Sequence, residues 1–321
     1  MIKKEPIRFA PYLKSVIWGG EKICRYKGIS QTEPNIGESW EISEVQGHES
    51  IVSEGSYKGM LITELIEKFG SELVGKNVMT RYGGKFPLLV KLIDAKDNLS
   101  VQVHPDDALA MARHGSRGKS EMWYIIEAEN NAKIYSGLNR QMTPEEYVKR
   151  VLDNTIEETL AIHDSHPGDV YFLPAGRVHS IGAGNLLAEI QESSDITYRI
   201  YDYARRDADG NTRELHTDLA KDAIDYTYYK DYRSATPDHA KDDVKIAECD
   251  HFTVYRLMID GEKQFAYDDS SFTVLMCLEG EVKIKYDNGD MTLNRGETVL
   301  LPAVMNSFAL DGQATLLAAR S

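Results

Sequence analysis

Short runs of alternating apolar and polar residues, separated by Gly, Asp, Asn and Pro, fill most of this chain. PLLVKLIDA, SVQVHP, MWYIIEA, AKIYSG, DVYFLPAG, LLAEIQES and ITYRIYDY occupy the first two thirds, and FTVYRLMI, FTVLMCLEG, EVKIKYDNGD, MTLNRGE and TVLLPA lie near the end. Side chains on a strand alternate between its two faces, so runs of this kind between turn formers predict many short strands stacked as a sandwich or barrel. Helical periodicity is local. MLITELIEKFG sets Leu61, Ile62, Leu65, Ile66 and Phe69 on one stripe and stops at Gly70, as an amphipathic helix does. A second helix is expected from Thr143, whose hydroxyl caps it while Pro144 takes the first turn and Glu146 completes a capping box; Tyr147, Val148, Val151 and Leu152 form its stripe. Pro105 with DDALAMAR marks a third, short helix. These helices read as insertions, near 60–80 and 143–160, beside a β core.

A length of 321 residues accommodates two domains, since domains usually run to roughly 100–200 residues. From about Arg205 to Val244 the chain turns polar, and alternation lapses after YARRDADGN. The expected organisation is a first domain over 1–215, a connection over 216–240 with a short helix around Leu219 to Ala223, and a second β domain over 241–321. A weak internal repeat agrees. Gly168, Pro174, Gly176 and His179 form G-x5-P-x-G-x2-H, and Gly296, Pro302, Ala303 and Asn306 repeat the frame without the imidazole. FTVLMCLEGEVKIKY likewise matches the layout around Glu121 without any ligand set. If the halves are duplicated, only the first carries a metal.

The formal charge of −14, from 51 acidic and 37 basic residues, is spread along the chain. Nucleic acid and anionic membranes are therefore not expected as partners, because both require a basic face. The cysteines Cys24, Cys249 and Cys277 are odd in number and form no C-x-x-C pair, which suits small core residues in a reducing compartment. The N-terminal stretch has no apolar core of a signal peptide, and no segment has the roughly 18 apolar residues of a membrane span. A cytoplasmic protein is expected, and the sequence carries no signal for self-association.

Candidate chemistry gathers at four positions. Gln102 and His104 in LSVQVHPDD share one strand face by the period of two. Glu121 opens an apolar strand after GKS, and His179 follows a glycine and proline turn in GDVYFLPAGRVHSIG. Two imidazoles, a carboxylate and an amide oxygen, with room for water, suit a catalytic zinc better than a closed structural one. The histidines 48, 114, 163, 166, 216, 239 and 251 lack a second donor at strand spacing and read as surface residues. Glu38, Trp40 and Glu41 in GESWEIS read as a wall of the same pocket.

The frame G-x5-P-x-G-x2-H is the second signature of the cupin β-barrel. FAPYLKSVIWGG, IGESWEIS, PLLVKLIDAKDNLSVQVHPDD, GKSEMWYII and PAGRVHSIGAGNLLAEIQESSDITYRIYDY together resemble the zinc-dependent mannose-6-phosphate isomerases of the cupin superfamily, in their shorter bacterial form. The resemblance is specific through residue 205 and loose after about 215. It implies a mainly β fold of two cupin-like jelly-roll β-barrels with a few inserted helices, one zinc ion per chain, and a sugar phosphate as substrate. It places the zinc ligands at Gln102, His104, Glu121 and His179. It assigns catalytic roles to Lys119 and Arg199, and pocket positions to Lys91, Ser100, Glu189 and Asp195, of which Glu189 is counted with the catalytic residues. Trp18, in the FAPYLKSVIWGG string, is expected beside them. Ser120 departs from the proline of larger relatives, and their large helical insertion is much reduced here.

Aldose to ketose interconversion passes through an enediolate, so it needs positive charge at O1 and O2, and a metal with Lys119 and Arg199 would supply it. Ser100, Lys91 or an arginine would hold the phosphate. The proton carrier stays open among Glu189, His104 and a metal-bound water. Two alternatives stand beside this reading: a cupin oxygenase using iron or manganese on the same ligands, and a sugar-binding cupin without catalysis.

Overall fold

The computed structural model describes residues 1–206, 210–234 and 243–321. Its strands form three sheets. A six-stranded sheet runs in the order Val170–Leu173, Glu121–Ala128, Asn185–Glu192, Leu88–Ala95, Ile36–Ile42, Tyr12–Gly20. A five-stranded sheet runs Tyr198–Tyr201, Val101–Val103, His179–Ile181, Lys133–Leu138, Leu160–Asp164. The third sheet, eight-stranded, holds the C-terminal strands together with Ile7–Ala10 and Ile51–Val52 from the start of the chain. The fold is mainly β and cupin-like. Its sheets are arranged as sandwiches and not as the closed barrels expected.

The six-stranded sheet is the middle layer, and alternation decides what each of its faces meets. Leu88, Val90, Leu92, Met122, Tyr124, Leu186, Ala188 and Ile190 point to one side. There they pack against Ile62, Leu65 and Ile66 of the Ile62–Phe69 helix and against Val274, Met276, Leu317 and Ala319 of the C-terminal sheet. The intervening residues Ile93, Trp123, Ile125 and Leu187 face the other way and meet Ile134 and Ile181 of the five-stranded sheet. Burial on both faces is why Leu88–Ala95 and Asn185–Glu192 have no exposed residue. It also means that any polar side chain on the inner face sits between two sheets, away from water.

The expected helices are present, with the stripe of the first as expected and that of the second altered at one position. Pro144–Leu152 is capped by Thr143, whose hydroxyl accepts the Glu146 N–H at 3.2 Å. Tyr147 is fully buried, but Leu152, expected on the stripe, is exposed. The Ile62–Phe69 helix ends at Gly70, and short helices over Ser71–Val74 and Lys76–Tyr82 follow it. Asp106 caps Asp107–His114 through the Leu109 N–H. The Thr217–Ala223 helix packs Ala220 against Val101 and Val103, the outer face of the five-stranded sheet.

FTVLMCLEG and EVKIKY are one strand, Thr273–Tyr286, and not two. Gly280, which reads as punctuation, sits at a positive φ of 72° beside a register shift, where a Cβ would come within 1.9 Å of the Gln313 carbonyl oxygen. A glycine bulge bends the strand without ending it.

Candidate metal centre and active site

Register across the two inner faces assembles the site. On the five-stranded sheet Arg199 pairs with Gln102, and Gln102 with His179, so the three stand in a row. Facing them, Glu189 lies between Lys91 and Trp123, and Glu121 is two residues before Trp123 on its strand. The Val101–Val103 strand ends before His104, and Pro105 turns the chain there, yet the imidazole still reaches the same point as Gln102.

His104, Glu121 and His179 converge, with their donor atoms all within 4.8 Å of one another, and all three are buried. His179 Nε2 is 3.2 Å from Glu121 Oε1, and His104 Nε2 is 3.6 Å from Glu121 Oε2. The Gln102 amide joins the group through its nitrogen, which lies 3.2 Å from His179 Nε2 in place of the oxygen expected as a ligand. Each imidazole is oriented from behind. His104 Nδ1 donates to the Ile196 carbonyl and His179 Nδ1 to the Arg177 carbonyl, both at 2.8 Å. That fixes the tautomer and turns an Nε2 lone pair toward the centre, the arrangement that metal-binding histidines use.

Electrostatics point the same way. Burial drives His104 well below the usual imidazole range and His179 to about 3, so both are neutral. Burial raises the Glu121 carboxyl, although Lys119 beside it pulls down. Both Glu121 oxygens are buried without a hydrogen-bond partner. Lys119 Nζ, 3.1 Å from Oε2, offsets part of the cost of a carboxylate buried there. Two neutral imidazoles and a buried carboxylate, converging on one point, fit a divalent metal ion.

A cavity of about 460 Å³ opens in front of the cluster, lined by Gln102 and Lys119 and by Trp18, Lys91, Ser100, Glu189, Asp195 and Arg199. Of the residues expected at the pocket, these eight and Glu38 reach it, whereas Trp40 and Glu41, expected in its wall, do not. His104, Glu121 and His179 lie behind this wall, beside Gln102 and Lys119. Lys119 Nζ is 3.1 Å from Glu121 Oε2 and 3.3 Å from His104 Nε2. Trp18, Ile93, Leu99 and Ile181 supply an apolar side. Arg199 Nη1 donates to the Glu214 carbonyl at 2.9 Å, and burial, then the neighbouring Arg213, lowers its guanidinium.

Lys91 differs from expectation in its company. It sits between Glu189, at 3.1 Å, and Glu38, at 3.6 Å, with Trp123 and Trp40 donating their indole N–H groups to the same two carboxylates. Glu189 is thereby held below the usual carboxyl range: burial pushes it up, but Lys91 and Lys119 outweigh burial. Glu38 lines the pocket as expected, whereas Glu41 turns to the other face and pairs with Lys27 at 2.7 Å.

Sequence reading missed Lys14, Thr197 and Arg213, which also line the cavity. Arg213 stands in the polar stretch where no periodicity marks it; Asp202 holds it, through a 2.7 Å contact to its Nε. Of the other histidines, 48, 114 and 166 are exposed, and His239 lies outside the described residues. Three were misread as surface residues: His163 and His216 are half-buried, and His251 is wedged against Glu192 and Asp107.

Comparison with known proteins identifies the family. Residues 7–124 match the family model described as phosphomannose isomerase type I, catalytic domain, and residues 242–321 match mannose-6-phosphate isomerase, cupin domain. The chain is 34% identical over 313 residues to mannose-6-phosphate isomerase ManA of Bacillus subtilis, covering 97% of each. It is 32% identical over 321 residues to the mannose-6-phosphate isomerase of Streptococcus mutans, covering 99% of this chain and 98% of the relative. Among solved structures, a mannose 6-phosphate isomerase from Bacillus subtilis superposes with a TM-score of 0.89 at 35% identity, covering 98% of this chain and 99% of that one. With full-length identity of this order and a shared fold, the chain belongs to the mannose-6-phosphate isomerase family.

Proposed function

We propose that this protein interconverts mannose 6-phosphate and fructose 6-phosphate, with a zinc ion held by Gln102, His104, Glu121 and His179. The observation that carries the reading is the buried His104, Glu121 and His179 cluster behind a cation-lined cavity. When bound, zinc supplies Lewis-acid stabilisation of negative charge on the sugar oxygens.

In the forward direction a proton leaves C2 of mannose 6-phosphate and returns at C1, while O1 gains a proton and O2 loses one. Glu189 faces the cavity and is kept ionised by Lys91, as a base that receives the C2 proton must be. Lys119 and Arg199 place fixed positive charge where O1 and O2 become negative. Such preorganised charge is worth more between two sheets than in water. Trp18 gives the ring an apolar wall. Lys91 is balanced by two carboxylates, whereas Arg205 and Arg213 share the single carboxylate of Asp202 and keep net positive charge, so the phosphate handle falls to Arg213 with Ser100, and Asp195 lines the same cavity. Binding energy at that remote group holds C1 and C2 against the base.

The test is a coupled assay for fructose 6-phosphate formed from mannose 6-phosphate, run before and after chelation and again after zinc return. Activity that disappears with the metal and returns with zinc supports the reading. Oxygen uptake without isomerisation would replace it with the oxygenase, and metal binding with neither activity would leave a sugar-binding protein.

A further inference from the structure

Outside the catalytic cluster, three more metal-ligating side chains meet. Asp107 opens the helix after His104, Glu192 ends the strand that carries Glu189, and His251 precedes the Thr253–Ala266 strand. Their donor atoms all lie within 4.8 Å of one another. His251 Nδ1 is 3.2 Å from Glu192 Oε2, and His251 Nε2 is 3.8 Å from Asp107 Oδ2. The Glu192 side chain is only 3% exposed.

The close pair does not form a hydrogen bond. Glu192 Oε2 and His251 Nδ1 are both buried and face each other at 3.2 Å, a charge contact without the alignment of a hydrogen bond. Native structures leave few buried polar atoms without a hydrogen bond, and an unfilled ion site is one of the standard reasons. The other oxygens are already committed. Ser120 N–H donates to Glu192 Oε1 and Gly118 N–H to Asp107 Oδ1, each at 2.8 Å. Each carboxylate is therefore fixed by the backbone and presents one free oxygen to the group, as outer hydrogen bonds do around metal ligands.

We propose that Asp107, Glu192 and His251 form a second divalent-cation site, of the zinc type. One imidazole and two carboxylates, with the Asp107 side open to water, match the donor set and openness that borderline divalent ions take. Its position gives it a structural consequence. Ser120 lies between Lys119 and Glu121 in sequence, and Asp107 follows His104 by three positions, so a cation here ties the C-terminal part of the chain to both segments that carry the catalytic cluster.

The experiment is equilibrium dialysis of the full-length, zinc-loaded protein against rising free zinc, with bound metal counted by elemental analysis and melting followed in parallel. Wild type is expected to bind two zinc ions per chain, and Asp107→Asn and His251→Gln one each, with the second-site affinity lowered at least tenfold. His179→Ala should keep the second ion while losing the first, which separates this proposal from the catalytic reading. Excess zinc should raise the melting temperature of wild type and leave that of Asp107→Asn unchanged. Asp107 is more than half exposed, so that variant folds even if His251→Gln does not. Saturation of wild type at one ion, or two ions bound by Asp107→Asn with wild-type affinity, would overturn the proposal.

Discussion

Replacing Lys91 by Met keeps the aliphatic stem and removes the ammonium seated between Glu38 and Glu189. The two separations are 3.6 and 3.1 Å. With an effective dielectric constant of ~20, each pair attracts by about 5 kcal/mol before desolvation is counted. Breaking a buried ion pair on one side leaves a net loss of roughly 3–5 kcal/mol. Glu38 would retain Lys14, at 3.3 Å, but Glu189 would keep the Trp123 N–H and a more distant Lys119 charge. Both carboxyls would then rise, Glu189 further, because burial already opposes their ionised form. An acid whose folded value lies above its unfolded value penalises the fold at high pH and stops doing so once protonated. Urea unfolding followed by tryptophan fluorescence should therefore show Lys91→Met weaker than wild type by roughly 3–5 kcal/mol at pH 8, and by clearly less at pH 5. A deficit below about 1 kcal/mol, or one equal at both pH values, would refute the assignment of Lys91 as the charge partner of these two glutamates.

Other consequences are open to measurement. Arg199→Ala should lower turnover roughly a hundredfold with metal content unchanged, while His179→Ala loses both; metal loss in the arginine variant would contradict its role at the sugar oxygens. Burial pushes Glu38 up, but Lys91 and Lys14 hold it at about 2, below the usual 4.5. The stability it contributes is complete above pH 4.5 and is lost as pH falls toward 2, so acid titration of Glu38→Gln should show a shallower loss across that window. Gly137 has a φ of 81°, and a Cβ there would lie 2.0 Å from the Tyr232 ring. Gly137→Ala should cost at least about 1–3 kcal/mol from the backbone alone, visible as a lower melting temperature.

Alternation made the inner face legible. Lys91, Glu121 and Glu189 sit in largely apolar strands, and the period of two sets them on the side of Ile93, Trp123 and Leu187, which meets the facing sheet. Local spacing likewise marked Gln102, His104 and the turn before His179. Gly168 and Gly296 both adopt positive φ just before matching strands, Val170–Leu173 and Thr298–Leu301, so the repeat noted in the sequence has a structural counterpart. Pairing between distant strands left no such trace. Nothing near Ile7–Ala10 announces that it joins Thr298–Leu301 in the C-terminal sheet. The Glu38 to Lys91 contact depends on which strands become neighbours. Arg213 reaches the cavity from a polar loop, where direction is set by Asp202 and not by periodicity. His251 looked solvated because its two carboxylate neighbours come from residues 107 and 192.

The most direct test of the central claim is a titration of chelated protein with zinc, scored by isomerisation of mannose 6-phosphate. Activity should rise in proportion to added metal and saturate at the first equivalent in wild type, and stay at background in His104→Ala at every zinc concentration. Full activity in metal-free protein, or in the His104 variant, would contradict a reaction that depends on a cation held by Gln102, His104, Glu121 and His179.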